Sequence, residues 1–266
     1  MEQELGIQGS YVIHLSTKHE RDHIIDELRQ IGFQNIQNYD AVVGKNLRSS
    51  FEYISPRVML ELAEGRTSNE GIVSMGAIGC YLSHINIWKE MLADPNISAI
   101  AIFEDDVDTS QKDEVRQKLL NISEAIQKKD YDILFMGFSP RCNKNLPIIN
   151  ERYTGNYSYI ITRSGAKKLL RFAFPIDMHL DAYIGTIAKY DPTVKLLGYQ
   201  IFKHNGTLGS SDTSVGDWLG WSASGDCYPK ENFKVSSSGK SFAITFAITA
   251  FILIIMLMYF YLWRKK

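Results

Sequence analysis

Three adjacent carboxylates, Glu104, Asp105 and Asp106, follow directly on an apolar run, Ile100-Ala101-Ile102-Phe103. The run has the length and make-up of a buried strand. The acids then emerge at its carboxyl end, where open α/β sheets bind ligands. Three acids side by side repel one another, and each costs free energy to desolvate. A divalent cation relieves both, because hard cations take oxygen ligands, and the bound cation can hold a diphosphate. Strand geometry sets Glu104 and Asp106 to one side and Asp105 to the other. An acidic turn after a strand is the alternative use of the same residues.

The second informative stretch is Gly76–Leu92. Gly76 and Gly79 permit close backbone approach before a helix. Cys80, Ser83, His84, Ile87 and Met91 share one face of it, and Leu82, Ile85 and Trp88 another, so this helix is apolar nearly all round and must be buried. His84 is either a core histidine satisfied by a carbonyl or a group facing a bound ligand.

These stretches need a scaffold, and the chain supplies one. Ser10–Leu15 reads as a first strand carrying His14, Glu20–Ile31 as a helix stopped by Gly32, and Asn35–Val43 as a second strand. This β-α-β start argues for a parallel sheet with crevices at the strand ends. Arg21 lies just past the first strand, placed to face a diphosphate or to solvate a helix start. Arg57–Ala63 is a short helix and Lys112–Lys129 an amphipathic one, with Val115, Leu119, Ile122 and Ile126 inward. Tyr131–Gly137 is a buried strand, and a further strand and helix fill Thr154–Leu170. Pro175 suits a helix start, which makes Asp177 and Asp181 neighbours on one helix face. His204 sits on a late loop.

The 266 residues suffice for one large domain or two small ones. A net charge of −1 gives no basic surface for nucleic acid. The three cysteines, Cys80, Cys142 and Cys227, are too few and too scattered for a disulfide framework or a zinc site, and Cys80 reads as a buried thiol. Phe242–Trp263 carries no charge; as a helix it spans about 33 Å against a hydrocarbon core of roughly 30 Å. Tyr259, Tyr261 and Trp263 form an interfacial belt before the basic Arg264–Lys266 tail. The expected organisation is a catalytic-type domain over 1–228, a linker over 229–241, a transmembrane helix over 242–263 and a basic tail over 264–266. Met1–Ser10 has no apolar signal region, which favours a tail anchor with the domain on the cytosolic face. The terminal charges argue weakly the other way. Sequons at Asn96, Asn121, Asn156 and Asn205 matter only on the lumenal side.

At this point the residues resemble a known family. Gly79-Cys80-Tyr81-Leu82-Ser83-His84 with Ile87-Trp88-Lys89-Glu90, then Phe103-Glu104-Asp105-Asp106, is similar to glycosyltransferase family 25. That family holds bacterial lipooligosaccharide and animal procollagen galactosyltransferases. Tyr131-Asp132-Ile133-Leu134 with Gly137, Tyr159-Ile160-Ile161 with Gly165–Leu170, Pro175-Ile176-Asp177, His204 and Ser211-Asp212-Thr213 follow in the family's order. Ala77 departs from the family's usual glutamate, and the C-terminal span is not a family feature.

The resemblance implies an α/β, GT-A (Rossmann-like) domain that transfers galactose or a related hexose, with inversion, from a UDP-sugar. The acceptor would be a glycan, lipooligosaccharide or hydroxylysine. It implies Mn²⁺ held by Glu104, Asp105 and Asp106, with His204 completing the shell or standing as a solvated loop histidine. The donor-binding candidates are His14, Arg21, His84 and Glu104. The candidate bases are Asp177 first and Asp181 second, unless both merely face a helix dipole. The competing expectation is a non-catalytic transferase-like membrane protein.

Overall fold

The structure, a computed structural model, describes residues 5–16, 23–47, 52–65, 71–72, 74–140 and 153–205. The chain divides into two units, Met1–Gly225 and Asp226–Lys266. The second unit, with the linker and the expected span at Phe242–Trp263, lies outside the described residues, as do Arg21 and Ser211–Thr213. Among the described residues no helix is long and apolar enough to cross a membrane.

The first unit is built on a six-stranded sheet. Its strands are β1 (Ser10–His14), β2 (Ile36–Asp40), β3 (Ala99–Glu104), β5 (Ile133–Pro140), β6 (Tyr153–Thr162) and β7 (Leu196–Gly198), in the order β2-β1-β3-β6-β5-β7. The pairings β1–β2, β1–β3 and β5–β7 are parallel. β6 runs antiparallel to both its neighbours, so the expected parallel sheet has one reversed strand at its centre. A two-stranded ribbon pairs β4 (Val107–Asp108) with β8 (Lys203–His204).

Helices cover both faces. They are α1 (Ile24–Ile31), α2 (Pro56–Glu64), α3 (Met75–Ala93), α4 (Lys112–Asn121), α5 (Ser123–Lys128), α6 (Arg163–Leu170) and α7 (Leu180–Tyr190). The period-two alternation of the strands sorts their side chains into two cores. Ile100 and Ile102 pack with Tyr81, Ile85, Trp88 and Leu169 on one side. Ala101 and Phe103 pack with Leu28, Phe33, Leu119 and Phe202 on the other.

α3 is buried on nearly every side, as its sequence predicts. Ser74 Oγ caps it by accepting from Ala77 N at 3.2 Å. Arg163 donates to the carbonyls of Met91, Leu92, Asp94 and Ile97 at the other end. Gly79 and Gly44 let α3 lie directly on the Val42–Gly44 backbone, where a Cβ on either would overlap a main-chain atom.

Besides the reversed β6, four further elements differ from expectation. β3 stops at Glu104, and Asp105 and Asp106 form a turn, so strict strand alternation does not carry to the last acid. The helix expected over Lys112–Lys129 breaks at Ile122, which lets both Leu119 and Ile126 be fully buried. β5 continues past Gly137, because that glycine makes room for the Tyr157 ring on β6 instead of ending the strand. Finally, α7 starts at Leu180. Asp177 lies in an extended segment that bridges Ile176 to Ile54, so Asp177 and Asp181 do not share a helix face.

Candidate active site

The carboxyl ends of β1 and β3 meet the β4–β8 ribbon, and there each acid of the triplet meets a different histidine. Asp105 Oδ2 lies 2.9 Å from His14 Nδ1, in a buried pair that joins β3 to β1. Asp106 Oδ2 lies 3.0 Å from His204 Nε2. Glu104 Oε1 lies 3.3 Å from His84 Nε2, without the alignment of a good hydrogen bond. Sequence reasoning singled out all six residues; it did not anticipate their division into pairs.

His204 is delivered by a strap along the edge of β5. Tyr199 N donates to Phe135 O at 2.8 Å, and Ile201 N and Phe202 N both donate to Met136 O at 2.9 Å. Val107 then pairs with His204 in the ribbon, and Asn205 N donates to Asp106 O at 2.8 Å. The Tyr157 ring supports His204 edge-on, with centroids 5.6 Å apart. Burial, with Asp106 and Glu104 nearby, pushes the Tyr157 phenol up to about 12, so it stays neutral. His204 is 43% exposed and Asp106 16%, which leaves this pair the accessible edge of the site. Asp106 Oδ1 is buried and has no hydrogen-bond partner, an acceptor aimed at something the protein itself does not supply.

Glu104 is held differently. Burial raises its pKa, His84 opposes that rise, and Asp106 and Asp105 add to it. Behind it runs a buried polar chain. His84 Nδ1 lies 2.8 Å from Tyr159 Oη, which accepts from Trp88 Nε1 at 3.0 Å. The indole can only donate, so the Tyr159 hydroxyl proton is free for Nδ1, and His84 then turns Nε2–H toward Glu104. His84 is wholly buried, and its Nε2 faces Glu104. Cys80, His84 and Trp88 recur every fourth residue on α3, the signal from which this chain could have been read. Cys80 is half-buried, less enclosed than its sequence suggested. Burial, then Glu104, Asp181 and Asp106, raises its thiol well above the ordinary range.

The two candidate bases are held by different contacts. Asp181, with Glu104 and Asp106, adds to the rise of the Cys80 pKa. Its Oδ2 accepts from Gly155 N at 3.1 Å, tying the start of α7 to β6. Asp177 is turned to another task. It takes an ion pair from Arg57 Nη2 at 3.0 Å and a hydrogen bond from Ser55 Oγ, which clamps the segment before α7 onto α2.

The structure is thus a Rossmann-like α/β sheet whose central strand ends in three carboxylates, each facing a histidine. The profile described as "Glycosyltransferase family 25 (LPS biosynthesis protein)" matches residues 7–184, and the chain belongs to that family. It is 29% identical over 190 residues to a "Putative glycosyltransferase" of Haemophilus influenzae, covering 66% of this chain and 62% of that protein. It is 29% identical over 181 residues to "Inactive glycosyltransferase 25 family member 3" of Mus musculus, covering 63% of this chain and 29% of the mouse protein. It is 32% identical over 112 residues to "Procollagen galactosyltransferase 1" of Danio rerio, covering 37% of this chain and 18% of the fish protein. The chain thus spans less than two thirds of each of these relatives.

Proposed function

We propose that the domain is a GT-A glycosyltransferase that moves galactose or a related hexose from a UDP-sugar to a hydroxyl on a glycan, lipooligosaccharide or hydroxylysine. The observation that carries this reading is Asp106. Its buried Oδ1 has no partner, and its Oδ2 meets an exposed histidine at the open edge of the site. That donor set fits a divalent cation such as Mn²⁺, which tolerates carboxylate and imidazole together. Asp106 and His204 would hold it, with Glu104 and Asp105 from the same strand tip. When bound, the ion supplies neutralising charge for the leaving diphosphate.

The chain's own residues do the rest. His14 fixes Asp105, and the Trp88–Tyr159–His84 chain fixes Glu104, so the acids stay oriented when a donor binds. Asp181 is the proposed base for the acceptor hydroxyl, ahead of Asp177, because Asp177 is engaged by Arg57 and Ser55. Arg21 remains a proposed diphosphate contact on its place after β1.

A membrane anchor at 242–263 is proposed from its uncharged sequence, with the domain on the cytosolic face. Asn96 and Asn121 are exposed, so the absence of glycan at both after expression in a secretory-competent cell supports that side. Modification at either reverses it.

Two observations favour a second reading, a non-catalytic binding module: every acid of the triplet already faces a histidine, and some relatives are named inactive. The deciding experiment is UDP release from a panel of UDP-sugars by the full chain with an acceptor mixture. EDTA-sensitive release supports the transferase; no release from any donor supports the module.

A further inference from the structure

Cys80 and His84 stand one turn apart on α3 and project from the same face. Glu104 closes the group from the tip of β3. One donor atom from each residue lies within 4.8 Å of the other two, and among the described residues this is the trio of such side chains that gathers so closely. His84 is 0% exposed, and its Nε2 lies 3.3 Å from Glu104 Oε1 without a well-aligned hydrogen bond.

We propose that Cys80, His84 and Glu104 form a binding site for a thiophilic divalent cation of the zinc class. A thiolate, an imidazole and a carboxylate together select a borderline-soft ion over a hard one. The Asp106–His204 pair, by contrast, offers oxygen and nitrogen alone. Zinc bonds of roughly 2.0–2.3 Å set the donors of a tetrahedral site about 3.3–3.8 Å apart. The trio therefore closes by about an ångström on binding, within rotamer adjustment of Cys80 and Glu104.

The support behind the imidazole is already built. When Nε2 turns its lone pair to a metal, Nδ1 carries the proton and needs an acceptor. Tyr159 Oη at 2.8 Å supplies one, since a hydroxyl accepts as readily as it donates. Three protein donors leave a fourth position for water. Glu104 also belongs to the strand tip proposed to hold manganese, so the two ions draw on one carboxylate.

The test is cobalt titration of the untagged full chain under reducing, anaerobic conditions, read by the near-ultraviolet sulfur-to-cobalt charge-transfer band. The expected result is a band that saturates at about one equivalent and is abolished by zinc. It vanishes in Cys80→Ser and persists when Cys142 and Cys227 are both changed to serine. Glu104→Gln keeps the band and weakens cobalt binding at least about tenfold, which provides a second reading should Cys80→Ser fold poorly. No band in the parent chain, a band that survives Cys80→Ser, or unchanged affinity in Glu104→Gln overturns the site. Because the readout is cobalt–sulfur absorption, its failure leaves the transferase reading standing, and failure of sugar transfer leaves this site standing.

Discussion

Replacing Tyr159 with phenylalanine removes one oxygen atom and no apolar contact area, yet it should be costly. That oxygen serves two wholly buried partners, His84 Nδ1 at 2.8 Å and Trp88 Nε1 at 3.0 Å. Neither finds a replacement, because Tyr159 lies in the core with no exposed surface. Each orphaned buried group costs about 1–3 kcal/mol, so Tyr159→Phe should lose roughly 2–6 kcal/mol. For a domain of this size, 1 kcal/mol corresponds to about 2–4 °C in Tm, so the drop should be at least about 4 °C. Thermal unfolding followed by circular dichroism measures it. A double-mutant cycle with Trp88→Phe sharpens the test, because the indole donor can be orphaned only once. The pair should then cost about 1–3 kcal/mol less than the sum of the singles. A Tm within about 1 °C of the parent chain, or strict additivity in the cycle, would refute the buried polar chain behind Glu104.

Further outcomes follow from particular contacts. Asp181→Asn should lower kcat by about 10²–10⁴ with little change in Tm, as removal of a general base does; a kcat within threefold assigns Asp181 to anchoring α7 alone. Asp177→Asn should behave oppositely. Its pair with Arg57 is partly exposed, so Tm falls by a few degrees, about 1 kcal/mol, while kcat stays within severalfold. Gly165→Ala should destabilise by roughly 1–3 kcal/mol in urea unfolding, because a Cβ there overlaps the Asp132 carbonyl where α6 crosses β5.

Much of the fold was legible because its signals are local. The apolar run before Glu104, the all-round apolar α3 and the capping of α6 by Thr162, which accepts from Gly165 N at 3.1 Å, are all written within a few residues. What the sequence could not show depends on partners far along the chain. His14 and Asp105 meet across 91 positions, and His204 and Asp106 across 98. No spacing rule pairs a given acid with a given histidine at such range. The helix expected from Pro175 failed for a related reason. Asp177 is drawn out of helical geometry by Ser55, Arg57 and the Ile54–Ile176 bridge, all tertiary contacts that outweigh local propensity. The reversed direction of β6 is likewise set by its neighbours, since a buried strand reads the same either way.

The most direct measurement is UDP binding to the full chain by calorimetry with and without Mn²⁺, repeated for Asp106→Asn and for His204→Ala. Both residues lie at the accessible edge of the site, so neither change should disturb the core. The account predicts that Mn²⁺ tightens UDP binding at least about tenfold, or 1.4 kcal/mol, in the parent chain, and that the gain disappears in both variants. UDP affinity indifferent to Mn²⁺, or a Mn²⁺ effect of full size in Asp106→Asn, would contradict it.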